Sequence, residues 1–173
     1  MIVVLIGYMA SGKSTIGRIL AKNLNCNFVD LDDYIEEQED KSIAEIFKTK
    51  GEIYFRKKEA LHLGEIVKNK NNLVLSLGGG TPCYGNNMDI LQNDKNVTAI
   101  YLKASINSLI KRLENEKNKR PLISHLKSND ELIEFIGKHL FERTHFYSQA
   151  SFTVTTDDKS QEEIMENIIL KLF

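Results

Sequence analysis

Apolar residues along the chain follow two rhythms. Five short runs rich in Ile, Val and Leu have the length and β-branched content of strands: Ile2–Ile6, Phe28–Leu31, Leu73–Leu77, Val97–Leu102 and Phe152–Thr155. Between them apolar residues recur at helical spacing, as with Ile16, Leu20 and Leu24, then Leu109 and Leu113, then Ile164, Ile168 and Leu172. Ser42, Ser128 and Ser160 are each followed three residues later by Glu, a capping box that starts a helix. Strands that alternate with helices and carry no polar face predict an α/β fold with a mostly parallel sheet covered on both sides. The polar, lysine-rich stretch ENEKNKRPLISHLKSND, Glu114–Asp130, interrupts this pattern between two helical segments and reads as a mobile flap.

A chain of 173 residues buries enough surface for one domain without metal or disulfide staples. Lys and Arg number 23 against 24 Asp and Glu, so no global basic field points to nucleic acid and no polybasic end to a membrane. Cys26 and Cys83 lack the close-spaced partners of a zinc or redox site and read as buried or idle thiols. His62, His125, His139 and His145 show no metal-ligand pairing, and no Ser-His-Asp arrangement appears. MIVVLIG is too short for the apolar part of a signal peptide, and no run approaches a membrane span, which predicts a reduced, cytoplasmic protein.

The sharpest chemical signal lies at the amino end. VLIGYMASGKST contains Gly7-x-x-x-x-Gly12-Lys13-Ser14, the phosphate-binding pattern, between a predicted strand and a predicted helix. Glycines let the backbone wrap a polyphosphate, N–H groups turn inward, and the helix offers its positive end. Lys13 then reaches the β- and γ-phosphates and Ser14 holds Mg²⁺, which needs few protein ligands.

Further segments belong at the same sheet edge, where ligands of open parallel sheets bind. In FVDLDDYIEE, one carboxylate is expected to cap a helix starting near Tyr34. Asp30 can support magnesium, and Asp32, on the same face of an extended chain by period two, can take a proton from an alcohol. Arg56 in YFRKKEALHL reads either as part of a solvated basic helix face or as a ligand residue. Gly78, Gly79 and Gly80 exceed what a turn needs and point to a backbone that approaches something closely. Arg120, before Pro121 in the flap, is a solvated charge or swings onto transferring phosphate.

GYMASGKST, FVDLDDYIE, SIAEIFKTKGEIYFRKKE, LSLGGG, RPLI and ERTHFY occur in the order and spacing of shikimate kinases, and the resemblance covers nearly the whole chain. It implies a five-stranded parallel sheet of the P-loop, nucleoside-monophosphate-kinase type, with a substrate-binding segment about 32–62 and a mobile lid about 114–126. It implies transfer of the γ-phosphate of ATP to the 3-hydroxyl of shikimate, on the route to chorismate and aromatic amino acids, by a monomer with Mg²⁺. By position, Gly7, Ala10, Ser11, Gly12, Lys13, Ser14 and Thr15 resemble the nucleotide loop, and Ser14 and Asp30 the metal residues. Asp32 resembles the residue that orients the acceptor hydroxyl, Arg56 and Arg143 the arginines of the shikimate carboxylate, and Gly78, Gly79 and Gly80 the backbone at its hydroxyls. Arg120 resembles a lid arginine on the γ-phosphate, and Arg112 an arginine against adenine.

Two departures accompany the resemblance. Ala10 stands where many members carry glycine, and alanine is expected to disfavour a left-handed backbone there. TTDDKSQEE lacks a proline that members often have near the adenine. The rivals are a gluconate or nucleoside monophosphate kinase of the same architecture, and a nucleotide-dependent switch without transfer activity. Two arginines and a glycine run suit a compact hydroxy acid, and a switch has no need of Asp32.

Overall fold

The computed structural model describes residues 1–114 and 122–173. Arg120 and part of the expected lid lie outside the described residues. Strands β1 (Ile2–Ile6), β2 (Asn27–Asp30), β3 (Leu73–Ser76), β4 (Val97–Lys103) and β5 (Phe152–Thr155) form one sheet in the order β2-β3-β1-β4-β5. Every pairing is parallel, with Val4 opposite Leu75 on one side and Ala99 on the other. β1 occupies the middle because all five of its side chains are apolar and find cover on both faces.

Alternation along β1 sorts two cores. Ile2, Val4 and Ile6 pack with Leu31, Ile35, Leu63, Ile66, Leu109, Leu113 and Ile136. Val3 and Leu5 pack on the opposite face with Ile16, Leu20, Ile164 and Ile168. Helices α1 (Lys13–Asn23) and α8 (Gln161–Leu172) therefore cover one side. The other side is covered by α2 (Leu31–Glu39), α3 (Ile43–Lys50), α4 (Glu52–Asn69), α5 (Asn87–Asn93), α6 (Ile106–Glu114) and α7 (Asn129–Tyr147). Ser42, Ser128 and Ser160 each form the reciprocal capping box with Glu45, Glu131 and Glu163. Gly51, at φ 82, separates α3 from α4. No helix among the described residues is long and apolar enough to cross a membrane.

One boundary differs from the sequence expectation in a way that matters for the site. β2 ends at Asp30, and α2 begins at Leu31 rather than near Tyr34. Asp30 is the N-cap: its Oδ1 accepts a hydrogen bond from the Asp32 backbone N–H at 3.1 Å. Leu31, wholly buried, drops into the core as the chain turns. Asp32 thus sits on the first turn of a helix, so the period-two argument that placed it on a strand face fails. Its position beside Asp30 follows from capping geometry instead.

Candidate active site

The loop from β1 into α1 is built for an anion. Gly7 at φ 145 and Gly12 at φ 100 hold conformations that side chains rarely adopt, and a Cβ on Gly7 would stand 2.6 Å from the carbonyl oxygen of Leu102. Gly12 caps α1 without a side-chain hydrogen bond, and the first turn carries no acid, which leaves N–H groups at a positive helix end for a ligand. Lys13 Nζ donates to the carbonyls of Gly7 and Tyr8, both at 2.9 Å, and so bridges the loop. The Ser11 hydroxyl is buried with no hydrogen-bond partner among the described residues. That orphaned group fits a cradle shaped for a bound phosphate.

Ala10 corrects an expectation. It takes the left-handed backbone, φ 61, despite its Cβ. The carbonyl of Ala10 accepts from Arg112 Nη1 at 3.0 Å, and Nη2 of the same guanidinium donates to the Thr156 carbonyl at 3.2 Å. Arg112, on α6, thereby fastens the phosphate loop to the segment that follows β5. Conformational strain of about 1 kcal/mol is within reach of one charge-assisted hydrogen bond.

Ser14 Oγ donates to Asp30 Oδ2 at 2.8 Å, with Ser76 Oγ at 3.5 Å. The described residues contain no group of three or more His, Cys, Asp or Glu that could hold a metal. A hydroxyl and a carboxylate side by side are hard oxygen donors of the kind Mg²⁺ takes while keeping water and phosphate, so the residues fit that ion.

A cleft of about 560 Å³ joins these parts: Lys13, Ser14, Asp30, Asp32, Gly78, Gly79, Arg112 and Thr156 are among its walls. Within it the Asp32 carboxyl is pushed up to about 6, first by burial and then by Asp30 and Glu59, against the pull of Lys13 and Arg56. A carboxylate that titrates there is placed for proton transfer near neutrality.

The glycine run organises the acceptor side. A Cβ on Gly78 would lie 3.1 Å from Asp32 Oδ1, one on Gly79 3.7 Å from Arg143 Nη1, and one on Gly80 3.0 Å from Arg56 Nη2. Three consecutive positions therefore abut, in order, the carboxylate and the two arginines. None of the three has a positive φ. At Gly78 and Gly80 the tight contacts ask for glycine on grounds of space, not of backbone freedom, while a Cβ on Gly79 would meet its neighbours at ordinary contact distance.

Arg56 is no solvated helix charge. Its guanidinium lies 3.8 Å from the Tyr84 ring centroid, and Nη1 reaches both oxygens of Glu59, at 2.9 and 3.1 Å. Lys58 behaves differently and pairs with Glu39 at 2.8 Å. Arg56 and Arg143 are not in the wall of the cleft itself. Arg56 lines a second depression of about 500 Å³ with Glu52 and Tyr84, while Gly80 abuts its guanidinium and Gly78 and Gly79 wall the first.

Residues unassigned from sequence complete the site. Glu59 is buried and accepts from Thr81 Oγ1 at 2.6 Å, while Asn87 Nδ2 donates to the Thr81 carbonyl at 2.8 Å. Tyr147 Oη donates to the Gly79 carbonyl at 2.6 Å. A carboxylate three residues after an arginine on a helix was the available signal for Glu59. Thr81 and Asn87 left no comparable trace.

Comparison with known proteins agrees with this geometry. The family model described as shikimate kinase matches residues 9–173. A shikimate kinase of Flavobacterium psychrophilum is 50% identical over 171 residues, 99% of this chain and 98% of its own length. The shikimate kinase structure from Bacteroides thetaiotaomicron superposes with a TM-score of 0.90 at 35% identity, over 99% of this chain and 98% of that one. A structure from Acinetobacter baumannii, described as shikimate kinase in complex with shikimate, gives a TM-score of 0.85 at 30% identity, over 99% and 92%.

Proposed function

The chain belongs to the shikimate kinase family and is an ATP-dependent kinase; on that premise we propose how this site moves the γ-phosphate of ATP to the 3-hydroxyl of shikimate in aromatic amino-acid biosynthesis. Lys13 and the N–H groups of the Gly7–Thr15 loop hold the β- and γ-phosphates. Ser14 and Asp30 would hold Mg²⁺, which when bound would supply charge neutralisation for the phosphate oxygens. Arg112 carries the adenine side.

Asp32 orients the acceptor hydroxyl and takes its proton. Arg56 and Arg143 grip the shikimate carboxylate, for which a planar guanidinium is better matched than an ammonium group. The Gly78–Gly80 backbone admits the ring hydroxyls. Phosphoryl transfer needs in-line positioning more than covalent chemistry, so these parts suffice. Residues about 32–62 form the acceptor-binding segment of a single kinase domain over 1–173. The segment about 114–126 closes as a lid and brings Arg120 to the transferring phosphate, excluding water. The enzyme works as a cytoplasmic monomer and takes neither nucleic acid nor membrane as partner.

One observation carries this reading: a single glycine run abuts Asp32, Arg143 and Arg56 in succession while two of its members wall the phosphate cleft. A coupled ADP-release assay with ATP and Mg²⁺ tests it, with shikimate, gluconate, AMP or no acceptor. Release with shikimate alone supports it; release with gluconate or AMP in its place overturns it.

A further inference from the structure

Tyr8 touches both halves of the site, and the reaction described above makes no use of its side chain. Its carbonyl accepts from Lys13 Nζ at 2.9 Å, so its backbone belongs to the phosphate cradle. Its ring is buried at 1% exposure and meets α7, where the Arg143 guanidinium stands 5.7 Å from the ring centroid. Its hydroxyl lies 3.1 Å from His139 Nδ1. His139 and Arg143 are four residues apart on that helix and share one face. Phe135, four residues earlier, packs on the imidazole with ring centroids 4.2 Å apart, a second contact that restrains the ring.

We infer that His139 and Tyr8 form a positioning pair: their hydrogen bond seats α7 against the phosphate loop and so sets Arg143, which grips the acceptor, at a fixed distance from Lys13, which grips the nucleotide. That role rests on the kinase reading above. Neither residue touches substrate or the reacting atoms; both act through Arg143.

The protonation states suit this bond. Burial pushes the Tyr8 hydroxyl up to about 12, against the pull of Arg143, so it remains a donor. Burial, then Arg143, holds the His139 imidazole below its ordinary value, with Glu142 opposing and Lys138 assisting. In the tautomer with its proton on Nε2, the neutral ring accepts a hydrogen bond from the tyrosine hydroxyl at Nδ1. The groups that face it are Arg143, Lys138 and Glu142 from α7 and Tyr8 from the loop, while His125 reaches only the edge of Phe135. Acid removes the acceptor at Nδ1 and adds a cation beside Arg143.

Steady-state kinetics of the full chain separate positioning from packing. Tyr8→Phe and His139→Leu should each raise the KM for shikimate about 3- to 10-fold, the value of one hydrogen bond, with the KM for ATP within about twofold. His139→Asn keeps an acceptor oxygen near the place of Nδ1 and should return the shikimate KM to within about twofold. The double variant should be no worse than either single one. The shikimate KM of the unsubstituted enzyme should rise as pH falls through the lowered value of His139, and the part of that rise due to the imidazole should be absent from His139→Asn. Independently of turnover, the NMR titration midpoint of His139 should move up in Tyr8→Phe. An unmoved midpoint, equal changes in both KM values, or an asparagine variant that behaves like leucine overturns the inference alone. An unsubstituted enzyme that releases no ADP with shikimate overturns the kinase reading and this role with it.

Discussion

Arg56 Nη1 lies 2.9 Å from Oε2 and 3.1 Å from Oε1 of Glu59, a carboxylate 1% exposed to solvent and three residues further along α4. Thr81 occupies Oε1 as well, at 2.6 Å. Glu59 is thus held in place from two sides, and it aims a guanidinium that would otherwise sample many rotamers.

Glu59→Gln is expected to raise the KM for shikimate roughly 10-fold or more, since a charge-assisted contact is replaced by a neutral one. The KM for ATP should change by less than about twofold. Comparable losses for the two ligands in steady-state kinetics would contradict the aiming role.

Much of this was legible in the chain. Strand and helix rhythm foretold the sheet, the three capping boxes all formed, and the phosphate loop announced itself. The Arg56–Glu59 pair was less visible because a carboxylate next to lysines on a helix usually faces water; its burial depends on Thr81, 22 positions away. One of the two grounds for selecting Asp32 was wrong. Period two put it on a strand face, whereas the Asp30 cap turns the chain into α2 at Leu31, three residues before the expected start near Tyr34. The left-handed Ala10 was equally hidden, since the Arg112 contact that holds it spans 102 positions.

Asp32→Ala should retain ATP binding and lose about 100-fold or more in turnover, the usual range for a positioned proton acceptor. ATP binding is read by calorimetry and turnover by ADP release. Unaltered turnover would refute the role given to this carboxylate.

The pH dependence follows from the same group. With Asp32 titrating at about 6, turnover should fall as pH drops through that value, because the protonated acid no longer accepts the hydroxyl proton. Asp30→Asn removes one of the charges that raise Asp32 and should move this acid limb downward. A limb that stays in place would remove Asp30 as a cause.

Stability carries the opposite sign. The folded-state value of about 6 exceeds the ordinary 3.8, so the folded protein binds the extra proton between them and loses stability as pH rises through that window. Asp32→Asn should therefore stabilise by roughly 1–3 kcal/mol at pH 7.5 in urea unfolding, with the gain gone below about pH 4. A gain independent of pH would point to packing instead of charge.

Gly80→Ala adds a methyl group 3.0 Å from Arg56 Nη2 and 3.2 Å from Nη1, at a backbone angle that alanine accepts. The guanidinium must shift while the fold stays intact. Shikimate affinity should drop about 10-fold, as expected for a disturbed charged contact, with thermal stability and ATP affinity nearly unchanged.

If the Lys13 cradle and the Arg56 and Arg143 side serve one transfer, a crystal structure with shikimate and a non-hydrolysable ATP analogue bound together should show the acceptor hydroxyl beside Asp32, with its oxygen about 3–3.5 Å from the γ-phosphorus and in line for attack. Shikimate lodged against Arg56 in the second depression, out of reach of the γ-phosphate, would contradict it.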